Sequence, residues 1–93
     1  MDRKKIICTF ENYVSNYNLN DPNIYLEYKH TGKVAENCER IAKSLNLPMK
    51  DIDLAWEIGM LHDIGRFEQL RRFDTFIDTE SIDHAEFGGD LLF

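Results

Sequence analysis

The chain has 93 residues, enough for one small domain and too few for two. Its composition is ordinary for a globular protein, 43% hydrophobic and 30% charged, but the formal charge is -6. That acidic balance argues against a general nucleic-acid binder, which needs a basic footprint, and against adhesion to an anionic membrane.

Cys8 and Cys38 form neither a close pair nor a zinc motif. Both fall on apolar helical spacing and read as small buried hydrophobes in a reducing compartment. The apolar part of "MDRKKIICTFE" ends about five residues in, short of the roughly seven of a signal-peptide core. No segment approaches the ~18 apolar residues of a membrane span, so a cytoplasmic protein is expected.

The chain reads as helices throughout, without strand-like alternation. Ile6, Ile7, Phe10, Tyr13, Val14 and Tyr17 predict an amphipathic first helix over 2–17. "NLNDPN" breaks it, and Asp21 with Pro22 signals the start of the next helix. The second helix is expected over 22–45, with an irregularity near "KHTG". Its inner face is Ile24, Tyr28, Thr31, Val34, Cys38, Ile41 and Leu45. "NLP" ends it at 46–48.

A third helix over 51–64 carries Ile52, Ala55, Trp56, Gly59, Met60 and Asp63 on one face. Ile58 and Leu61 make it apolar nearly all round, which predicts the most enclosed helix of the fold. Gly65 reads as its stop. "RFEQLRRF" at 66–73 is a short fourth helix or a solvated surface turn, and "DTFIDTES" a polar loop. A fifth helix begins near Ser81 or Asp83 and ends on Leu91, Leu92 and Phe93. That bare apolar end points to a fragment of a longer protein, or to a homodimer whose second copy covers it.

Three histidines are present, His30, His62 and His84. At 100° per residue each falls on an inward face, and so does Asp63. Taken singly, such a histidine is ordinarily a core residue bonded to a main-chain carbonyl. Such an aspartate is ordinarily a cap or the partner of an arginine, here Arg66. Three imidazoles and a carboxylate on three helices are costly to bury apart. Around a divalent cation they satisfy one another. Mixed N and O ligands without thiolate suit Mn, Fe, Co, Ni or Zn. A sparse ligand set also leaves positions open for water, as catalytic sites do.

"LHDIGR" at 61–66 resembles the signature of the HD superfamily of metal-dependent phosphohydrolases. "KHTGKVAENCERIAKSL" from Lys29 resembles the family's first histidine helix, and "HAEFGGDLL" from His84 its later H-x-x-x-G segment. The resemblance implies an all-α helical bundle of about five helices, with 1–93 a single partial domain that is incomplete at its C-terminal end. It implies His30, His62 and Asp63 as ligands of a first metal. Asp63 would bridge to a second ion bound by His84, giving one or two ions in all. Asp63 and Arg66 would be the catalytic residues, Arg66 near the substrate phosphate. The family pattern closes with a further Asp on a later helix, which no residue here matches.

The expected reaction is hydrolysis of a phosphomonoester, nucleotide or phosphodiester by metal-activated water. The alternative is a non-catalytic helical fragment that binds a metal or a partner chain. "HAE" at 84–86 matches the H-x-E of zinc nucleobase deaminases, but the required P-C-x-x-C is missing from the sequence.

Overall fold

The computed structural model describes residues 2–73, which form four α-helices: α1 (Arg3–Val14), α2 (Pro22–Ser44), α3 (Met49–Leu61) and α4 (Ile64–Phe73). No strand occurs among the described residues, so the fold is all-α as expected. The polar loop at "DTFIDTES", the fifth helix, His84 and the Leu91–Phe93 end lie outside the described residues. No helix among the described residues is long and apolar enough to cross a membrane.

Local chemistry accounts for the helix ends. The Asp2 side chain accepts from the Lys5 N–H and caps α1. Asp21 accepts from the Asn23 N–H at 2.9 Å, and Pro22 follows at the first helical position. α2 then runs without interruption; the expected irregularity near "KHTG" is not there. Asn46, at φ 57°, closes α2. Its N–H reaches Lys43 O, and the Leu47 N–H reaches Ala42 O, the paired bonds of a Schellman cap. Pro48 leads directly into α3.

The core is Phe10, Val14, Ile24, Ala35, Trp56, Met60, Phe67 and Leu70. Phe67 is its hub. Its side chain has 0% exposure and meets Phe10, Tyr13 and Tyr17 at ring-centroid distances of 6.0, 6.1 and 5.6 Å. α1 therefore serves as an aromatic lid on α4. Arg3 fastens the other end of α1. It donates to Asp53 Oδ1 at 2.7 Å, pairs with Glu39, and lies 4.8 Å above the Trp56 ring.

Several sequence expectations need correction. α4, not α3, is the most enclosed helix among the described residues. Phe67, Glu68, Gln69 and Leu70 are all buried, so "RFEQLRRF" is no solvated turn. Glu68 is tolerated there because it accepts from Tyr17, Arg71 and Arg72, and the Arg71 bonds hold its carboxyl below the usual range. α3 keeps an outer stripe, with Ile58 57% exposed and Leu54 exposed one turn earlier. The buried face of α2 follows Ile24, Glu27, Thr31, Ala35 and Ala42. Ile41 points outward, because a true 3.6-residue period rotates it off that face, and Leu45, the C-cap residue beyond the last turn, is exposed as well. Cys8 is exposed and Cys38 only partly buried. Gly65 does not stop a helix; the break falls at His62–Asp63, and Gly65 lies inside α4.

α2 and α3 pack closest at Gly59. A Cβ placed there would sit 2.7 Å from Ala35 Cα and 3.0 Å from Ala35 N. Backbone cannot yield as a flexible side chain does, so only glycine permits this approach. Gly59→Ala is expected to destabilise the protein by about 1–3 kcal/mol, read from urea unfolding. An unchanged midpoint would contradict the close contact.

Candidate metal centre

The α2–α3 contact sets the distance between the two described histidines. His30 projects from the middle of α2, one turn beyond Glu27. His62 immediately follows α3, and Asp63 fills the turn before α4. On an unbroken helix adjacent side chains would diverge by about 100°. The break at 62–63 brings them together, with His62 Nε2 3.1 Å from Asp63 Oδ2. His30 Nε2 is 3.5 Å from the same oxygen. The two imidazole rings lie 5.6 Å apart, tilted by 59°. His30, His62 and Asp63 each offer one ligand atom, and all of these lie within 4.8 Å of one another.

The structure thus assembles three of the four residues expected as ligands, and the fourth, His84, is outside the described residues. The inward direction expected of them is corrected in part. The His30 and His62 side chains keep 47% and 31% of their exposure, whereas that of Asp63 keeps 13%. His30 stands at the edge of an open cleft, and Asp63 lies deeper in it. A site that admits substrate and water needs this arrangement; a sealed core would not serve.

The hydrogen bonds show what is missing chemically. His62 Nδ1 lies 2.7 Å from the Gly59 carbonyl oxygen. A carbonyl only accepts, so Nδ1 carries the proton. With one proton only, the ring would face Asp63 Oδ2 with its Nε2 lone pair, acceptor against acceptor. Such a contact is repulsive unless a cation lies between the two, either a second proton on the imidazole or a metal ion. A main-chain carbonyl that fixes the tautomer of a ligand histidine is a common support of metal sites. The donor set therefore fits a divalent transition metal: two borderline nitrogens and one hard oxygen.

Glu27 was missed in the sequence. It lines the same cleft of about 300 Å³ with Leu26, His30, Asp63 and Arg66. Glu27 is only 5% exposed, and its Oε1 is buried with no hydrogen-bond partner among the described residues. Burial pushes its carboxyl up to about 8, helped by the charge of Asp63 and by a hydrogen bond between the two side chains, and opposed by Arg66. The signal was available: Glu27 follows Ile24 by three residues and precedes Thr31 by four, so it shares their buried face. Arg66 lines the cleft from the first turn of α4, and its Nη1 donates to Gln69 Oε1 at 2.8 Å.

Comparison with known proteins now bears on this centre. The family model of the HD domain matches residues 28–93, well over half of the chain. The chain belongs to the HD domain family. A search of the curated proteins and of the solved structures finds no match to it. The family match starts one residue after Glu27 and leaves α1 outside it.

A carboxyl whose folded value is raised above its ordinary 4.5 favours the fold below that value, and the contribution is lost as pH climbs toward about 8. The metal-free protein should therefore become easier to unfold across that window. Glu27→Gln should flatten the dependence, as followed by urea midpoints at successive pH values. Parallel curves for the two proteins would refute the assignment.

Proposed function

We propose that the cleft is the centre of a metal-dependent phosphohydrolase acting on a phosphomonoester, nucleotide or phosphodiester. The observation that carries this reading is the convergence of His30, His62 and Asp63, whose ligand atoms lie within 4.8 Å of one another. Membership of the HD domain family, which is mostly hydrolases, supports it. His30 and His62 contribute neutral nitrogens to the ion, and Asp63 contributes the charge. His84 is the further ligand that the family resemblance implies, and whether one or two ions bind depends on it.

When bound, the ion lowers the pKa of a coordinated water toward about 7 and so supplies a nucleophile at neutral pH. The chain's own residues do the rest. His62 Nδ1 keeps its proton on the Gly59 carbonyl, which holds Nε2 as a ligand throughout. Asp63 would take up, at a carboxylate oxygen, the proton that such a water gives up. Arg66, from the start of α4, forks onto the non-bridging oxygens of the phosphate and balances the charge that develops there. The partner is accordingly a small anionic ester. The protein is expected to act in the cytoplasm.

Purified protein loaded with Mn, Co or Ni should hydrolyse generic phosphate esters. His62→Ala and Asp63→Ala should lose the metal by elemental analysis. Arg66→Ala should keep the metal and lose about 100-fold in kcat/KM, as for removal of one transition-state donor. Full metal occupancy without turnover on any ester would overturn the enzyme reading in favour of a non-catalytic metal-binding module.

A further inference from the structure

We propose that Leu26 is a specificity-determining residue of the cleft, the apolar wall on which the organic group of the ester rests. The substrate is then a phosphate ester of an aromatic or otherwise apolar group, not of a polyol. The inference rests on the phosphohydrolase reading above and deepens it by naming the substrate class.

Three observations carry it. First, the cleft is chemically two-sided. Among the described residues that line it, Glu27, His30, Asp63 and Arg66 are titratable, and Leu26 is the apolar one. Second, Leu26 is spaced for the site. It precedes His30 by four residues on α2, so the two side chains are neighbours on one face of the helix. Third, Leu26 is left open. It is 59% exposed, and it belongs neither to the core nor to the hydrophobic residues packed against the core. Tyr25, the exposed residue beside it, does not line the cleft, and its ring lies 5.6 Å from the Lys29 ammonium. A solitary exposed leucine is ordinary on a protein surface. This one is set apart by its place, beside a candidate metal ligand and inside a cleft of charged and polar groups.

A phosphate ester has a matching division. Its phosphoryl oxygens are anionic and belong with Arg66 and the metal-binding end of the cleft. The group across the bridging oxygen then meets the apolar wall. Against Leu26 an apolar face sheds water on both sides of the contact, which favours binding. A hydroxyl-rich group would give up hydrogen bonds to water there and find none in return. The cleft measures about 300 Å³, the lower end of small-molecule sites, so it suits a single ring beside a phosphate better than a long chain.

The test uses Ni²⁺-loaded wild type, Leu26→Ala and Leu26→Gln, with metal content and melting temperature checked for each. Both variants should keep the metal and melt with the wild type, because Leu26 lies outside the core. Isothermal titration compares phenylphosphonate with methylphosphonate, and steady-state kinetics compare phenyl phosphate with glycerol 2-phosphate. The wild type should bind phenylphosphonate about 10-fold more tightly than methylphosphonate, and either substitution should cut that preference to about twofold. The ratio of kcat/KM for phenyl phosphate to that for glycerol 2-phosphate should fall about 10-fold in the variants. Leaving-group chemistry differs between the two esters but is the same in all three proteins, so the change in ratio reads Leu26 alone. An unchanged preference in both variants, or no preference in the wild type, would overturn the inference while sparing the phosphohydrolase. Preferential binding of phenylphosphonate through Leu26 without turnover of any ester would keep the apolar wall and overturn the enzyme reading. A loaded wild type that binds neither phosphonate would overturn both.

Discussion

Asp63 is the group on which the cleft turns: two ring nitrogens face its Oδ2, and Glu27 and Arg66 line the same cleft. His62 offers it a lone pair at 3.1 Å, His30 a ring nitrogen at 3.5 Å, and Glu27 a second carboxyl. Left alone, these groups repel one another or must recruit protons. With a divalent ion among them, the two nitrogens and the Asp63 oxygen become its ligands. The rest of the described structure serves to keep them together. Glycine at position 59 lets α2 and α3 approach until His30 and His62 share one oxygen. The break after Leu61 turns two adjacent side chains onto the same side.

The second requirement is rigidity, and α4 meets it. A carboxylate in a short turn is only as fixed as the helices that flank it. α3 is held by Trp56, which packs in the core and under the Arg3 guanidinium. α4 is held by Phe67 beneath the aromatic side chains of α1, and by Glu68, which gathers Tyr17, Arg71 and Arg72. Neither cluster touches the cleft. Both fix the ends of the turn that carries Asp63. This is why α1, outside the family match, still bears on the candidate centre: it seals the helix that follows the His62–Asp63 turn.

Much of this was legible in the residue order. Asp21–Pro22 and Asn46–Pro48 marked both ends of α2 because capping chemistry is local and depends on few atoms. The His30, His62 and Asp63 trio was legible because polar groups on apolar faces stand out. What was not legible has a common cause: it depends on neighbours distant in the chain. Glu27 shares the spacing of Ile24 and Thr31, yet its charge makes it look solvated, and the cleft it lines exists only once Asp63 and Arg66 are placed beside it. Phe67 looks like part of a charged surface turn until Phe10 and Tyr13 of α1 cover it. Ile41 and Leu45 read as core because they are apolar, yet the period set by Ile24, Thr31 and Ala35 turns Ile41 outward, and Leu45 lies past the end of the helix. Gly65 read as a stop because glycine commonly ends helices. Here the chain breaks three residues earlier, where the ring of His62 bonds back to Gly59.

The charge balance also orders the events at the cleft. The chain as a whole is at -6, a poor environment for an anionic ester. Over the ~8 Å Debye length of physiological salt, however, distant carboxylates are screened and the local groups dominate. Without a metal those groups are the shared Glu27–Asp63 charge and the Arg66 cation, which nearly cancel. A divalent ion at His30, His62 and Asp63 turns the cleft clearly positive just where Arg66 already sits. On the proposed reading the cation is thus required twice, once to reconcile the lone pairs that the fold presses together and once to make an acidic protein attractive to phosphate. An acidic surface then does no harm to binding, since attraction is confined to the one place where chemistry can follow.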